Sequence, residues 1–155
     1  METTRQVSVF LENKPGRLAR ILSALGREKI NLDALTIVDN HEQGVLRFIP
    51  GDMPKAVRVL KGLNVPYFEA EVLVVELRNQ PGALARVCEV LGAGHVNIDY
   101  AYCSAAVRSG RTTAVLKASP AEKAKRLLGE AVNGTPRRRA DRPTLRDQRS
   151  YQAPR

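Results

Sequence analysis

Two asparagines, Asn13 and Asn79, each stand two residues before a Pro-Gly pair, Pro15-Gly16 and Pro81-Gly82. An asparagine side chain can both donate and accept hydrogen bonds. A glycine lets a ligand approach the backbone. Behind each pair an amphipathic run begins, with Leu18 in one copy and Leu84 in the other as its first apolar residue. A helix starting there presents free N–H groups and the positive end of its dipole, which attract a carboxylate. Such groups would suit a small zwitterion, and a strand-to-helix turn alone also explains each Pro-Gly pair. Neither reading involves bond-making.

The elements that position them come from a repeat. Asn13-Lys14-Pro15-Gly16-Arg17-Leu18-Ala19-Arg20 returns as Asn79-Gln80-Pro81-Gly82-Ala83-Leu84-Ala85-Arg86, 66 residues later. Between Val9 and Asp33, 12 of 25 positions match their counterparts at that offset, where chance gives roughly one or two. Each copy follows an apolar run, Val7–Leu11 or Leu73–Leu77, and each ends in Asn-apolar-Asp, Asn31-Leu32-Asp33 or Asn97-Ile98-Asp99.

Within the first copy, Val7–Leu11 reads as a buried strand. Leu18, Ile21, Leu22 and Leu25 recur at helical spacing. Ile30–Asp39 and Val45–Ile49 read as two strands around a polar turn holding His41, and Pro54 opens a second helix before a short strand, Val65–Phe68. The second copy repeats this with Val72–Leu77, a helix carrying Leu84, Val87, Cys88 and Leu91, then Val96–Ser104, Thr112–Ala118 and a helix from Pro120 to about Val132. Cys88, in the place of Leu22, is expected to be buried. The order strand, helix, strand, strand, helix, strand predicts an α+β fold: two ferredoxin-like βαββαβ units, with helices on one face of antiparallel sheets. The units span 1–69 and 70–132. A closing strand is missing after Val132. Either another segment completes the second sheet or it stays one strand short. Residues 133–155 are polar and rich in Pro and Arg, and are expected to be a disordered basic tail; a shifted reading frame near codons 128–134 would leave the same ending.

The net charge of +9 suggests nucleic acid until it is located. Residues 1–69 carry 10 basic and 8 acidic groups, 70–132 carry 8 and 6, and 133–155 carry 7 and 2. The two units are close to balanced, and the excess is in the tail. The strands Val45–Ile49 and Thr112–Leu116 lack the basic-aromatic pattern of RNA-binding sheets, so no specific nucleic-acid partner is expected. No apolar run is long enough for a membrane span. No secretory signal opens the sequence and two cysteines make no disulfide framework, so a cytoplasmic setting is expected. His41 and His95 occupy non-equivalent positions without a cysteine or carboxylate cluster; neither a metal, a cofactor nor a catalytic residue is assigned.

These motifs resemble the ACT domain, a small regulatory module that binds amino acids or related metabolites. The match is carried by Leu-Glu-Asn-Lys-Pro-Gly-Arg-Leu, Leu-Arg-Asn-Gln-Pro-Gly-Ala-Leu, Asn31-Leu32-Asp33 and Asn97-Ile98-Asp99-Tyr100, over about residues 5–132. The resemblance implies a tandem, stand-alone ACT protein without catalysis of its own. It further implies a ligand lying between two units, one supplying the Asn-x-Pro-Gly loop and the other the residue opening the second strand. The implied ligand-binding residues are Asn13, Pro15, Gly16, Arg17 and Leu18, then Asn79, Pro81, Gly82, Ala83 and Leu84, with Asn31 and Asn97 facing them. Leu11 and Leu77 stand where the serine-sensing ACT unit of phosphoglycerate dehydrogenase has a histidine, which removes the ground for serine specificity. The implied partners are an amino acid, a second copy in a homodimer, and a metabolic enzyme. Two other readings stay open: a strand-to-helix turn alone explains each Pro-Gly, and the module is then a ligand-independent assembly or regulatory subunit.

Overall fold

A computed structural model describes residues 1–40, 43–106 and 110–133. Ten elements follow in order: β1 (Glu2–Glu12), α1 (Arg17–Arg27), β2 (Leu32–Asn40), β3 (Gln43–Pro50), α2 (Met53–Leu63), β4 (Tyr67–Arg78), α3 (Ala83–Ala93), β5 (Asn97–Ala106), β6 (Arg111–Ser119) and α4 (Ala121–Asn133). The strands form one antiparallel sheet in the order β2-β3-β1-β4-β6-β5. This is two ferredoxin-like units sharing a sheet. His41 and residues 134–155 of the expected tail fall outside the described residues.

Alternation along the strands sends one set of side chains to the helices. Val7, Val9, Leu46 and Phe48 pack against Ile21 and Leu25 of α1 and Ala56 and Leu60 of α2. Leu73, Val75, Ala114 and Leu116 pack against Val87 and Leu91 of α3 and Ala124 and Leu128 of α4. Thr3 pairs with Leu73 and Val7 with Glu69, so these odd-numbered positions share a face. All four helices therefore cover the same side of the sheet.

The structure corrects the expected strand count. Val65–Phe68 and Val72–Leu77 were read as two strands; they are one, β4, whose first part pairs with β1 and whose second part pairs with β6. The missing closing strand is also accounted for. The start of β1 pairs with β4 through Glu2↔Val74, Thr3↔Leu73 and Thr4↔Val72, and so fills the position beside β4 that a fourth strand of the second unit would take. The second unit thus takes its fourth strand from the start of the first, while the first unit's fourth strand is the start of β4. The 66-residue offset carries Arg5 onto Glu71, its own partner, and the pair Glu2↔Val74 onto Phe68↔Ser8. A local two-fold axis passes between Arg5 and Glu71. The sequence reading missed this because β1 extends through Glu2–Gln6, a polar stretch without a hydrophobic signal.

The helix-free face is folded over itself. Gln6 and Ser8 point away from the helices, yet both are fully buried. Ala34, Ile49, Val72 and Val115, from β2, β3, β4 and β6, form a small apolar cluster there, with Val74 and Tyr102 against it. A strongly twisted sheet brings its outer strands toward its centre. A second correction concerns Cys88, which is exposed rather than buried. On α3 the buried stripe is Val87 and Leu91, and position 88 lies on its flank.

Candidate functional site: the two Pro-Gly turns

Each Asn-x-Pro-Gly segment makes the same turn. The Arg17 N–H donates to the Lys14 carbonyl at 3.2 Å and the Ala83 N–H to the Gln80 carbonyl at 3.2 Å. Gly16 has φ 83 and ψ −15, and Gly82 has φ 83 and ψ −5. A proline followed by a glycine in this left-handed conformation is a type II turn, which side chains with a Cβ disfavour. The turn alone therefore explains the repeated Pro-Gly. Beyond that, the space a Cβ would occupy at Gly16 and at Gly82 is open, so the turn also leaves room above the backbone.

The helices that begin here are unusual in one respect. At α2 the Asp52 carboxylate accepts from the Lys55 N–H at 2.9 Å, a normal N-cap. At α1 and α3 the N-cap is glycine and no side chain caps the helix. Their first-turn donors have no acidic side chain either. Two helix starts are left able to take an anion, and one is closed.

The copies differ in charge. Around the first turn, the Glu12 carboxylate sits 3.1 Å from Lys14 Nζ and 2.8 Å from Arg17 Nη2. Its hydrogen bond to Lys14, then that to Arg17, then their charges, hold its pKa below the ordinary carboxylate value. The second turn has Arg78, Gln80 and Ala83 at those places and cannot form this group. It is instead tied to the β5–β6 connection, since the Asn79 N–H donates to the Gly110 carbonyl at 2.8 Å.

Asn31 and Asn97 lie at the starts of the outer strands. The Asn97 amide donates to Asp99 Oδ1 at 2.8 Å, and Asp99 Oδ2 accepts from the Ser119 hydroxyl at 2.8 Å. Asn31 accepts the Gly51 N–H on its carbonyl at 2.9 Å, and its side chain is exposed. Register fixes how far each lies from a turn. Asn97 pairs with Ser119. Leu116, three residues earlier, pairs with Leu73, and Leu73 with Thr3. Asn97 is thus level with Gln6, seven residues short of Asn13, or about 20 Å along the strand direction. By the two-fold relation, Asn31 is level with Val72 and seven residues short of Asn79. Each asparagine lies toward the end of the sheet that carries the other unit's turn, but one chain does not bring the two together.

The outer edges of β2 and β5 have no strand beside them among the described residues. They are unlike. On β2, Leu35 is 41%, Ile37 46% and Val38 49% exposed. At the equivalent places β5 has Ala101, Cys103 and Ser104. Burial of the Cys103 thiol, and then Cys88 nearby, raise its pKa.

The family profile for the ACT domain pair matches residues 2–132. The chain belongs to that family. No match was found among curated proteins. Among solved structures, this ACT pair is similar to protein BT0572 from Bacteroides thetaiotaomicron at 37% identity, with 84% of this chain and 89% of that chain covered and a TM-score of 0.79. It shares its fold with the ligand-free regulatory subunit of aspartate kinase from Thermus thermophilus, at 17% identity, 84% and 97% coverage and a TM-score of 0.61. The regulatory subunit of aspartate kinase from Thermus flavus is similar at 18% identity, 85% and 94% coverage and a TM-score of 0.58. Among the described residues of the ACT pair no group of His, Cys, Asp and Glu could hold a metal ion, and no helix is long and apolar enough to cross a membrane.

Sequence reasoning missed one polar cluster. Gln6 Nε2 donates to the Tyr100 hydroxyl at 2.6 Å, the Tyr102 hydroxyl donates to Gln6 Oε1 at 3.0 Å, and the Arg47 guanidinium lies 4.2 Å from the centre of the Tyr100 ring. The shared face of Tyr100 and Tyr102 was readable from their alternation with Ile98. Gln6 and Arg47 alternate with apolar residues and therefore read as solvent-facing.

Proposed function

We propose that this ACT pair is a non-catalytic, cytoplasmic regulator that binds an amino acid between two copies of the chain. In this reading residues 1–69 and 70–132 are the two regulatory units and 133–155 a basic tail. The observation that carries the proposal is the contrast between helix starts: α2 is capped by Asp52, while α1 and α3 begin at open glycine turns with no cap. A ligand carboxylate would satisfy the donors left at α1, with Asn13, Pro15, Gly16, Arg17 and Leu18 around it. The equivalent set at α3 is Asn79, Pro81, Gly82, Ala83 and Leu84.

The second copy supplies the remaining asparagine. Antiparallel pairing of two β2 edges about a two-fold axis would satisfy their free backbone groups and cover Leu35, Ile37 and Val38. Glu12 pairs with Gln43, so the first turn lies at the hairpin end of β2. Antiparallel pairing sets that end against the Asn31 end of the partner strand. The more apolar β2 edge favours this contact over β5, and with it the first turn over the second. Ligand bound there would favour one packing of the dimer, and a partner enzyme would read the difference.

Thermal unfolding in millimolar excess of each of the twenty amino acids tests the reading. Ligand at 100 times its dissociation constant adds about 2.7 kcal/mol, several degrees in Tm. A selective rise for one or a few supports it. A flat panel with folded protein supports an assembly module instead.

A further inference from the structure

On the helix-free face, two donors lack an acceptor and a nearby lysine lacks a carboxylate. Arg47 Nε is buried and has no hydrogen-bond partner. Its guanidinium rests on the Tyr100 ring, and among the described residues no carboxylate forms an ion pair with it. Lys117, the cross-strand neighbour of Tyr100, is half-buried and reaches only the Glu71 carbonyl, at 3.2 Å. The Tyr100 hydroxyl already accepts from Gln6, which leaves its own hydrogen to donate. Gln6 cannot turn round to receive it, because Tyr102 donates to its oxygen.

A half-buried cation is normally matched by an anion, and buried donors by acceptors. Here neither Arg47 nor Lys117 has a carboxylate, and Arg47 Nε and the Tyr100 hydroxyl hydrogen have no acceptor among the described residues. The arrangement also lacks a symmetry mate. The two-fold relation places Val72, Val115, Ala34 and Thr36 where Gln6, Arg47, Tyr100 and Tyr102 stand. The fold does not need the cluster twice, so packing alone does not account for it.

We propose that Arg47, Lys117 and the Tyr100 hydroxyl form a binding site for a small oxyanion, a phosphate or a carboxylate, on the helix-free face. The guanidinium supplies planar donors, the ammonium a point charge, and the hydroxyl a third, oriented bond. The site is separate from both Pro-Gly turns. Because Gln6 belongs to β1 and Tyr100 to β5, an anion held there also bears on the contact between the two units.

Calorimetric titration of the full chain with inorganic phosphate, and separately with succinate, at constant ionic strength tests this. We expect saturable binding of at least one. Phosphate alone marks a phosphoryl ligand; succinate alone marks a carboxylate. Arg47→Gln should weaken the bound anion at least tenfold, and Lys117→Gln, at a half-buried position where folding is not at risk, several-fold. Both variants should keep the amino-acid response of the Pro-Gly turns. No saturable binding of either anion, or binding unchanged in Lys117→Gln and Arg47→Gln, would overturn the proposal.

Discussion

The two Pro-Gly turns have the same backbone and different surroundings. Gly16 and Gly82 share φ 83, and the turn hydrogen bonds are equal at 3.2 Å. Around the first, Glu12, Lys14 and Arg17 form an ion-paired group; around the second, Arg78 is the residue in place of Glu12 and Asn79 is bonded to Gly110. The turn is what a βα connection requires, so it is repeated. The charges are what a ligand or partner meets, and they have diverged. The same contrast holds at the edges, where Ile37 faces Cys103 across the two-fold relation.

If the two units share one sheet, breaking either core should lower a single transition. Leu25→Ala and Leu91→Ala each remove a fully buried leucine and should cost about 3 kcal/mol. Urea unfolding followed by circular dichroism checks this; a second transition in either variant would show that the units fold separately. Next come the glycines. Gly16→Ala and Gly82→Ala should each cost about 1 kcal/mol by forcing a side chain into the left-handed region. Equal costs would tie the pair to the shared backbone alone.

A smaller effect separates the halves of the helix-free face. Burial, reinforced by Tyr100 and opposed by Arg47, pushes the Tyr102 pKa up to about 12 from 10.0. A raised folded value means stability that is complete below pH 10 and is lost as pH rises toward about 12. Tyr102→Phe should remove that decline, seen as a flattened stability profile, and cost about 1 kcal/mol at neutral pH. The smallest effect belongs to the first turn. The lowered Glu12 pKa stabilises above the ordinary 4.5 and is lost as pH falls through the folded value. Glu12→Gln should abolish that acid dependence, and the same change is impossible at the second turn.

Much of this was legible in the sequence. The repeat and its two periodicities announced the strands, the helices and both turns. The shared sheet was not legible, because Glu2–Gln6 is polar and its strand character comes from pairing with β4 rather than from its own pattern. Nor was the fold-over of the helix-free face. Gln6 and Ser8 alternate with Val7 and Val9 as solvent-facing residues do, and only the twist of the whole sheet buries them. Cys88 fell to a related error, since helical spacing defines a stripe without saying where its flank ends.

In the proposed site, Asn13 and Asn31 act on one ligand from different chains. Mixing an Asn13→Ala chain with an Asn31→Ala chain tests it, using the amino acid that the thermal panel selects. Each variant alone should fail to bind. Random exchange makes half the dimers mixed, and each mixed dimer holds one intact site, so binding should return at about one quarter of the wild-type capacity. No recovery in a mixture shown to exchange subunits would contradict a site built between two copies.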